Sequence, residues 1–157
     1  MKIIILAAGR GSRLHHLTSN QPKSLVKING KSLIDYQLTR FIKNNCKKIY
    51  ISTGYKSHSF QNLPFKKIYN RKHNSTNMVY TLINTLRRIK HDEDIIISYG
   101  DILFNDKIFK KIINNQDMMS VVIDEDFISL WEKRINNPID DLETLKIKNN
   151  LIIEIGN

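Results

Sequence analysis

The sequence has little of several features that would decide its class. Cys46 is the only cysteine in 157 residues, so no internal disulfide can form, which fits a reducing compartment. No apolar run approaches the roughly 18 residues that a membrane-spanning helix needs. The N-terminus has one lysine before a very short apolar run, unlike a secretory signal. These absences predict a cytoplasmic protein with no membrane partner.

Acidic residues are also scarce, since 15 Asp and Glu face 25 Lys and Arg for a net charge of +10. The excess of positive charge lies in residues 1–114, which contain 21 basic and 6 acidic residues. Residues 115–157 contain 4 basic and 9 acidic residues. A basic first part suits anionic ligands such as nucleotides or phosphate esters. RNA binding and solvated lysines in an Asn- and Ile-rich composition are the alternatives. Because no aromatic RNA-binding motif is recognisable, we expect no nucleic-acid partner.

Short apolar runs predict strands that alternate with helices. The strands are expected at residues 3–6, 48–53, 65–69, 94–101 and 120–123. Ser32 and the cluster 74–76 are expected to cap two helices, and residues 108–113 to form a third. This alternation is typical of an α/β fold with a doubly wound, mostly parallel sheet, here as a single domain over residues 1–157.

The spacing of apolar residues supports the first two helices. The apolar positions of the first helix are Ile34, Leu38, Phe41 and Ile42, and the second helix has Val79, Leu82, Ile83, Leu86 and Ile89 on one face. Near the C-terminus, two short strands at residues 145–148 and 151–154 flank Asn149 and Asn150, a pattern that predicts a hairpin. The histidines His58, His73 and His91 lie in polar contexts and are expected to be exposed.

The stretch from Lys2 to Leu25 carries the clearest chemical signal. Its apolar strand stops at A-A-G-R-G-S-R, and Lys23 follows Pro22. Small residues and glycines let backbone N–H groups approach an anion, and the nearby cations add positive charge. The stretch therefore predicts a cradle for phosphate. It matches neither the Walker pattern nor the dinucleotide pattern G-x-G-x-x-G, in which Leu14 takes the place of the third glycine.

The string L-A-A-G-x-G-x-R-L followed by T-x-x-x-P-K-x-L resembles the signature of the sugar-phosphate and choline-phosphate nucleotidyltransferases. The resemblance implies a Rossmann-like, GT-A-like fold and transfer of a nucleotidyl group from a nucleoside triphosphate to a small phosphorylated acceptor, with Mg²⁺ as cofactor. It is strongest toward the small-acceptor cytidylyltransferases. This implies CTP and an acceptor such as phosphocholine, used for surface-polysaccharide or lipid decoration.

The resemblance also implies roles for individual residues. Lys23 would contact the α-phosphate and the acceptor phosphate, Arg13 the leaving phosphates, and Asp101 the Mg²⁺ ion. The nucleotide would be bound by the loop, by the glycine before Asp101 and by the tyrosine of a Gly-Tyr pair, namely Leu6, Ala7, Ala8, Gly9, Arg10, Gly11, Ser12, Gly100 and Tyr55. Because the loop and Asp101 both follow strand ends, we expect them to face one cleft. Arg10 facing solvent and Tyr55 packing in the core are the alternatives.

The residues expected to bind the acceptor come from two weaker sequence matches to the family. Asn77 lies in a segment that looks like the N-x-x-S-L helix of the choline-phosphate branch, although a helix N-cap role is an equal alternative. Trp131 and Asp141 lie in L-W-E-x-R and N-P-I-D-D-x-E, which resemble a segment of small-acceptor cytidylyltransferases. The resemblance implies that all three bind the acceptor. Packing at a core edge for Trp131 and a solvated acidic turn for Asp141 remain alternatives.

The chain departs from this branch at its C-terminus. Members of the branch usually continue for several tens of residues that carry more sheet and a second metal carboxylate, so we expect this chain to be C-terminally short. A sugar-1-phosphate nucleotidyltransferase using UTP, dTTP or GTP is one alternative function, and a catalytically weak nucleotide-binding subunit is another. The oligomeric state is not fixed by the sequence, which allows a homodimer.

Overall fold

A computed structural model describes residues 1–133 and 145–156. The chain forms two compact units, Met1–Lys111 and Ile112–Asn157. The single domain over residues 1–157 stays a prediction. The mostly parallel α/β sheet is confirmed in the first unit, which holds four parallel strands in the order β5-β4-β1-β6.

Eight strands and four α-helices are present in the described residues. The strands are β1 (Lys2–Ala7), β2 (Lys27–Ile28), β3 (Lys31–Ser32), β4 (Lys48–Thr53), β5 (Lys66–Tyr69), β6 (Ile95–Tyr99), β7 (Leu145–Lys148) and β8 (Leu151–Ile155). The helices are α1 (Leu33–Lys43), α2 (Met78–Leu86), α3 (Asp106–Ile113) and α4 (Phe127–Trp131). The 3₁₀ segments are Ser12–Thr18, which has a kink at His15, Lys23–Leu25 and Ser57–Phe60. No helix in the described part of the chain is both long and apolar enough to cross a bilayer.

The central strand β1 is buried on both faces, as its apolar run predicts. Ile3, Ile4 and Ile5 are fully buried, and β1 pairs in parallel with β4 and β6. Ile3 and Ile5 join the hydrophobic core beside α1, whereas α2 meets the opposite face of the sheet through a hydrogen bond to β4. Helices on both faces make the sheet doubly wound, with the carboxyl ends of its strands at one edge.

Helix α1 begins at the cap that the sequence predicts. The hydroxyl of Ser32 caps it by accepting a hydrogen bond from the backbone N–H of Asp35 at 3.2 Å. Of its apolar positions, Leu38 and Phe41 are buried with Ile34, but Ile42 is exposed. The helix therefore turns its i, i+4, i+7 positions to the core and leaves the next residue in solvent.

The most buried residues of α2 are polar and not those of its apolar face. Thr81 and Thr85 are buried, whereas Leu82 and Leu86 are half-buried and Val79 and Ile83 are exposed. The reason is hydrogen bonding, because the Thr85 hydroxyl lies 2.7 Å from the Ser52 hydroxyl of β4. Polar pairs between elements have overridden the apolar periodicity.

Two further expectations concern strands. Residues 120–123 form no strand, because no neighbouring strand among the described residues pairs with them. The predicted hairpin is confirmed, since β7 and β8 pair antiparallel around Asn149 and Asn150. These two residues have φ of 51° and 60°, which suits a tight two-residue hairpin turn.

A cluster of ion pairs holds the N-terminal end of β1. The carboxylate of Glu93 pairs with the N-terminal amine of Met1 and with the ammonium of Lys48, while Lys2 pairs with Asp92. The hydrogen bond from Lys48, and then that from the N-terminal amine, lowers the pKa of Glu93 from 4.5 to about 2. The free energy of unfolding therefore depends on the protonation of this carboxylate at acid pH.

We expect the free energy of unfolding to fall in acid more steeply for the wild type than for Glu93→Gln. Because the folded pKa lies below the unfolded value, the carboxylate stabilises the fold above pH 4.5. That contribution disappears as the pH falls from about 4.5 to about 2. Urea unfolding at pH 7 and pH 3 measures the difference, and equal losses in both proteins would contradict it.

Candidate active site

A cavity of about 250 Å³ opens at the carboxyl ends of β1 and β6, beside the N-terminus of α2. Nine of the predicted site residues line it, namely Leu6, Ala7, Ala8, Gly9, Gly11, Lys23, Asn77, Gly100 and Asp101. They come from four separate parts of the first unit. The expectation that the glycine loop and Asp101 face one cleft therefore agrees with the structure.

The glycine loop packs directly on the side chain of Lys23. Gly11 has a φ of +75°, and a Cβ at this position would lie 2.7 Å from the Cβ of Lys23. A glycine is therefore required both by the backbone conformation and by the close approach. The hydroxyl of Thr18, a fully buried residue, donates to the Gly11 carbonyl at 3.1 Å and fixes the far side of the loop.

Tyr55 ties the loop to the end of β4. Its backbone N–H donates to the Ala8 carbonyl at 2.9 Å, and its hydroxyl donates to the Ser19 carbonyl at 2.8 Å. The guanidinium of Arg10 lies 5.6 Å from the centroid of the Tyr55 ring, a cation–π distance. Tyr55 therefore positions the loop from outside the cavity, and Arg10 packs on it.

Lys23 and Asp101 form an ion pair at the mouth of the cavity. Their side chains are 41% and 34% exposed, so both charged groups are accessible to a ligand. Either charge would be released if the other found a stronger partner. The pair can therefore offer a cation to a phosphate and a carboxylate to a metal ion at the same place.

The turn that carries Asp101 is held by a buried glutamine of α1. The Gln37 amide donates to the carbonyls of Tyr99 at 2.7 Å and Ile102 at 2.8 Å, which bracket Gly100 and Asp101. Its carbonyl oxygen accepts from the Ser98 hydroxyl at 2.8 Å. Because Gln37 is 1% exposed, these hydrogen bonds do not compete with water, and the turn has a fixed position.

We expect Gln37→Met to lower the free energy of unfolding by at least about 2 kcal/mol, because two carbonyls lose a partner in a water-poor environment. Methionine has a similar volume, so lost packing contributes little. Urea denaturation measures the change. The control Gln61→Met alters an exposed glutamine and should stay within about 0.5 kcal/mol of the wild type. Equal stability of the two variants would contradict the assigned role of Gln37.

Gly100 allows close packing at the same turn. Its N–H donates to the Leu6 carbonyl at 2.9 Å, and an added Cβ would lie 3.0 Å from that carbonyl oxygen and 3.1 Å from the Cβ of Ser24. Any side chain here would push the turn away from β1. The absence of a side chain therefore keeps Asp101 next to the loop.

Four other predicted residues are not among the described residues that line the cavity. Ser12 and Arg13 are exposed on the 3₁₀ segment that follows the loop and do not appear in the described cavity wall. Trp131 lies in α4 of the second unit, and Asp141 lies outside the described residues. The proposed roles of these four residues stay predictions.

Asn77 combines the two roles that the sequence left open. Its side-chain carbonyl caps α2 by accepting from the Tyr80 N–H at 3.1 Å, and the residue also lines the cavity. The cap therefore begins at Asn77 and not in the cluster 74–76. The cap uses the side-chain oxygen of Asn77. Its side-chain NH₂ group is therefore the group suited to donate a hydrogen bond to a ligand.

The sequence did not single out six residues of the cavity wall, which are Ser24, His73, Thr76, Met78, Thr81 and Tyr99. The prediction that His73 is exposed is wrong, because the residue is half-buried. It packs so closely on Gly54 that a Cβ there would lie 2.5 Å from the Cβ of His73. His58 and His91 are exposed as expected. Ser24 lies inside the P-K-x-L motif, and Thr76, Met78 and Thr81 lie in the segment around Asn77, so their proximity to predicted site residues was the available signal.

The described residues contain no group of three or more His, Cys, Asp or Glu side chains placed to hold a metal ion. Asp101 is the carboxylate of the described cavity wall. One carboxylate suits an ion such as Mg²⁺, which is commonly held by one or two carboxylates together with phosphate oxygens and water. The donor set therefore fits a metal that arrives with a phosphate ligand.

Comparison with known proteins extends this picture. Residues 3–144 match the family described as MobA-like NTP transferase domain. The chain is 38% identical to the CTP:phosphoglutamine cytidylyltransferase of Campylobacter jejuni over 99% of its own length and 65% of that protein. It is 41% identical to the choline-phosphate cytidylyltransferase of Streptococcus pneumoniae over 52% of its own length and 38% of that protein.

Solved structures of nucleotidyltransferases share the fold of this chain. The Streptococcus pneumoniae CTP:phosphocholine cytidylyltransferase superposes with a TM-score of 0.59 at 34% identity, covering 64% of this chain and 44% of that one. The inositol-1-phosphate CTP transferase of T. maritima gives 0.70 at 22% identity, over 99% and 63% of the two chains. The chain spans 65% or less of the length of these four relatives.

Proposed function

The chain belongs to the family of MobA-like NTP transferase domains, and we propose that it transfers a cytidylyl group from CTP to a small phosphorylated acceptor. The observation that supports this most strongly is the meeting of the glycine loop, Lys23 and Asp101 in one cavity. A phosphate cradle, a cation and a metal-binding carboxylate are what such a transfer needs. The names of the two cytidylyltransferase relatives favour CTP.

The proposed reaction needs no protein nucleophile. A phosphate oxygen of the acceptor attacks the α-phosphorus of CTP, the bond from that phosphorus to the bridging oxygen breaks, and pyrophosphate leaves with that oxygen. The work of the protein is to align the two phosphates and to offset their negative charge. The backbone of Gly9 and Gly11 would hold the triphosphate, while Lys23 would neutralise the α-phosphate. Arg13 would face the leaving phosphates.

The ion pair between Lys23 and Asp101 would have to open when the nucleotide binds. The ammonium of Lys23 is paired with the carboxylate of Asp101. When CTP binds, Lys23 would move to the more highly charged phosphates, and the Asp101 carboxylate would become available to a divalent cation. We propose Mg²⁺ for this site; Asp101 would hold it, and it would supply positive charge that offsets the charge of the phosphates.

The acceptor would bind on the α2 side of the cavity. Asn77 lines this side, where Thr76 and Met78 adjoin it. The two cytidylyltransferase relatives are named for phosphoglutamine and phosphocholine, so we propose an acceptor that combines a phosphate with a small organic group. Trp131 and Asp141 are proposed as acceptor-binding residues on the strength of the sequence resemblance alone.

A cytoplasmic location and a role in surface-polysaccharide or lipid decoration are also part of the proposal. Cys46 is a free, buried thiol, which suits a reducing compartment. The role in decoration is supported by the family resemblance.

Pyrophosphate release tests the proposed function directly. The protein would be incubated with Mg²⁺, one of CTP, UTP, dTTP or GTP, and one of phosphocholine, phosphoglutamine or glucose-1-phosphate. We expect release with CTP and one of the first two acceptors. A nucleotide-sugar formed from glucose-1-phosphate would instead identify a sugar-1-phosphate nucleotidyltransferase. Tight CTP binding without release from any mixture would identify a nucleotide-binding subunit.

A further inference from the structure

We propose that Ser24 is a further ligand-binding residue of this site, and that its hydroxyl donates a hydrogen bond to a phosphoryl oxygen of the bound nucleotide. The inference rests on the proposed function, since it names a contact made by the same nucleotide. Neither the composition nor the family signature assigns a role to this position, because the motif P-K-x-L leaves it open.

The first observation is an unpaired polar atom. Ser24 is 3% exposed, and its Oγ is buried. No residue in the described part of the chain forms a hydrogen bond with this oxygen. A buried hydroxyl without a partner costs free energy, so it calls for an explanation. A ligand that arrives in the cavity provides one, because Ser24 belongs to the cavity wall.

The second observation is the position of the residue. Ser24 follows Lys23 directly, and its Cβ lies 3.1 Å from where a Cβ of Gly100 would stand. It therefore sits between the lysine and the turn that carries Asp101. Lys23 and Asp101 line the same cavity and are suited to phosphate and metal, so a phosphoryl oxygen is the ligand atom expected there.

The third observation is that backbone hydrogen bonds close the turn that carries Ser24. Ser24 is the middle residue of the 3₁₀ segment Lys23–Leu25. The N–H of Leu25 donates to the Pro22 carbonyl at 2.9 Å, and the N–H of Val26 donates to the Lys23 carbonyl at 3.1 Å. A donor on a closed turn loses little freedom when it binds, so one hydrogen bond can contribute fully to affinity.

Ser24→Ala tests the proposal by separating affinity from stability. We expect the Kd for CTP with Mg²⁺, measured by calorimetry, to rise about tenfold, as for the loss of one hydrogen bond to a charged group. The urea midpoint of the ligand-free protein should stay unchanged or rise, because the variant removes an unpaired buried oxygen. Ser24→Cys, which keeps the size of the side chain but is a weaker donor, should show a similar loss of affinity.

Ser52→Ala is the matched control. Ser52 is equally buried, but its hydroxyl is paired with Thr85, and the residue does not line the cavity in the described part of the chain. This variant should lose stability and keep the wild-type Kd. Opposite outcomes for the two serines would show that the effect of Ser24 is on the ligand.

Three results would overturn the proposal. Wild-type affinity for CTP in both Ser24 variants would remove the contact while leaving the proposed function intact. An equal loss of affinity for cytidine and for CTP would place the contact on the nucleoside and not on a phosphate. A wild-type protein that binds no CTP would overturn the proposed function, and the contact with it.

Discussion

Replacing Lys23 by alanine should lower the turnover number by about 100- to 1,000-fold. The loss is expected to be this large because the ammonium would act on the α-phosphate at the moment when its charge develops. Lys23→Met is the sharper variant, since it keeps the hydrocarbon stem that packs beneath Gly11. It should lose as much activity as alanine. Initial rates of pyrophosphate release with saturating substrates measure both.

The exposed Lys27 of β2 provides the control for this prediction. Lys27→Ala removes the same charge from the protein outside the described cavity wall, so its turnover number should match the wild type. A Lys23→Met variant that retains wild-type turnover would show that the lysine serves only to pack the loop.

Replacing Asp101 by asparagine should have two effects of opposite sign. Turnover should fall by at least about 100-fold, because the proposed metal ligand loses its charge. Binding of CTP in the absence of divalent metal should become about two- to fivefold tighter, because Lys23 no longer has to leave a carboxylate. Calorimetry in EDTA and steady-state kinetics in Mg²⁺ measure the two effects.

This combination separates the proposed role of Asp101 from a structural one. A residue that only stabilised the turn would weaken binding and turnover together when replaced. Metal-free CTP binding that is weaker in Asp101→Asn than in the wild type would therefore contradict the exchange of partners between Lys23 and the nucleotide. Unchanged turnover would contradict metal binding at this position.

The central sheet and the location of the site followed from local patterns in the sequence. A buried apolar run predicted β1, and a second run predicted β6, with small residues or an acidic residue after each. Because the carboxyl ends of parallel strands meet at one edge of a sheet, these two patterns also predicted that Asp101 approaches the loop. The glycine loop was therefore the most informative segment of the chain.

Local sequence patterns could not predict contacts between elements that are far apart in the sequence. Thr85 is buried because Ser52 offers it a hydrogen bond, and no periodicity within α2 reveals that partner. Gln37 likewise looks like an ordinary helix residue until the turn at Gly100 is placed beside it. His73 reaches the cavity wall because Gly54 leaves room for it. Each of these positions depends on a partner far away in sequence.

A crystal structure with CTP and Mg²⁺ bound would test the central claim most directly. We expect the triphosphate along the backbone of Gly9 and Gly11, the ammonium of Lys23 on a phosphoryl oxygen, and the Asp101 carboxylate about 2.1 Å from the metal. Nucleotide bound elsewhere, with the ion pair between Lys23 and Asp101 still closed, would contradict the account.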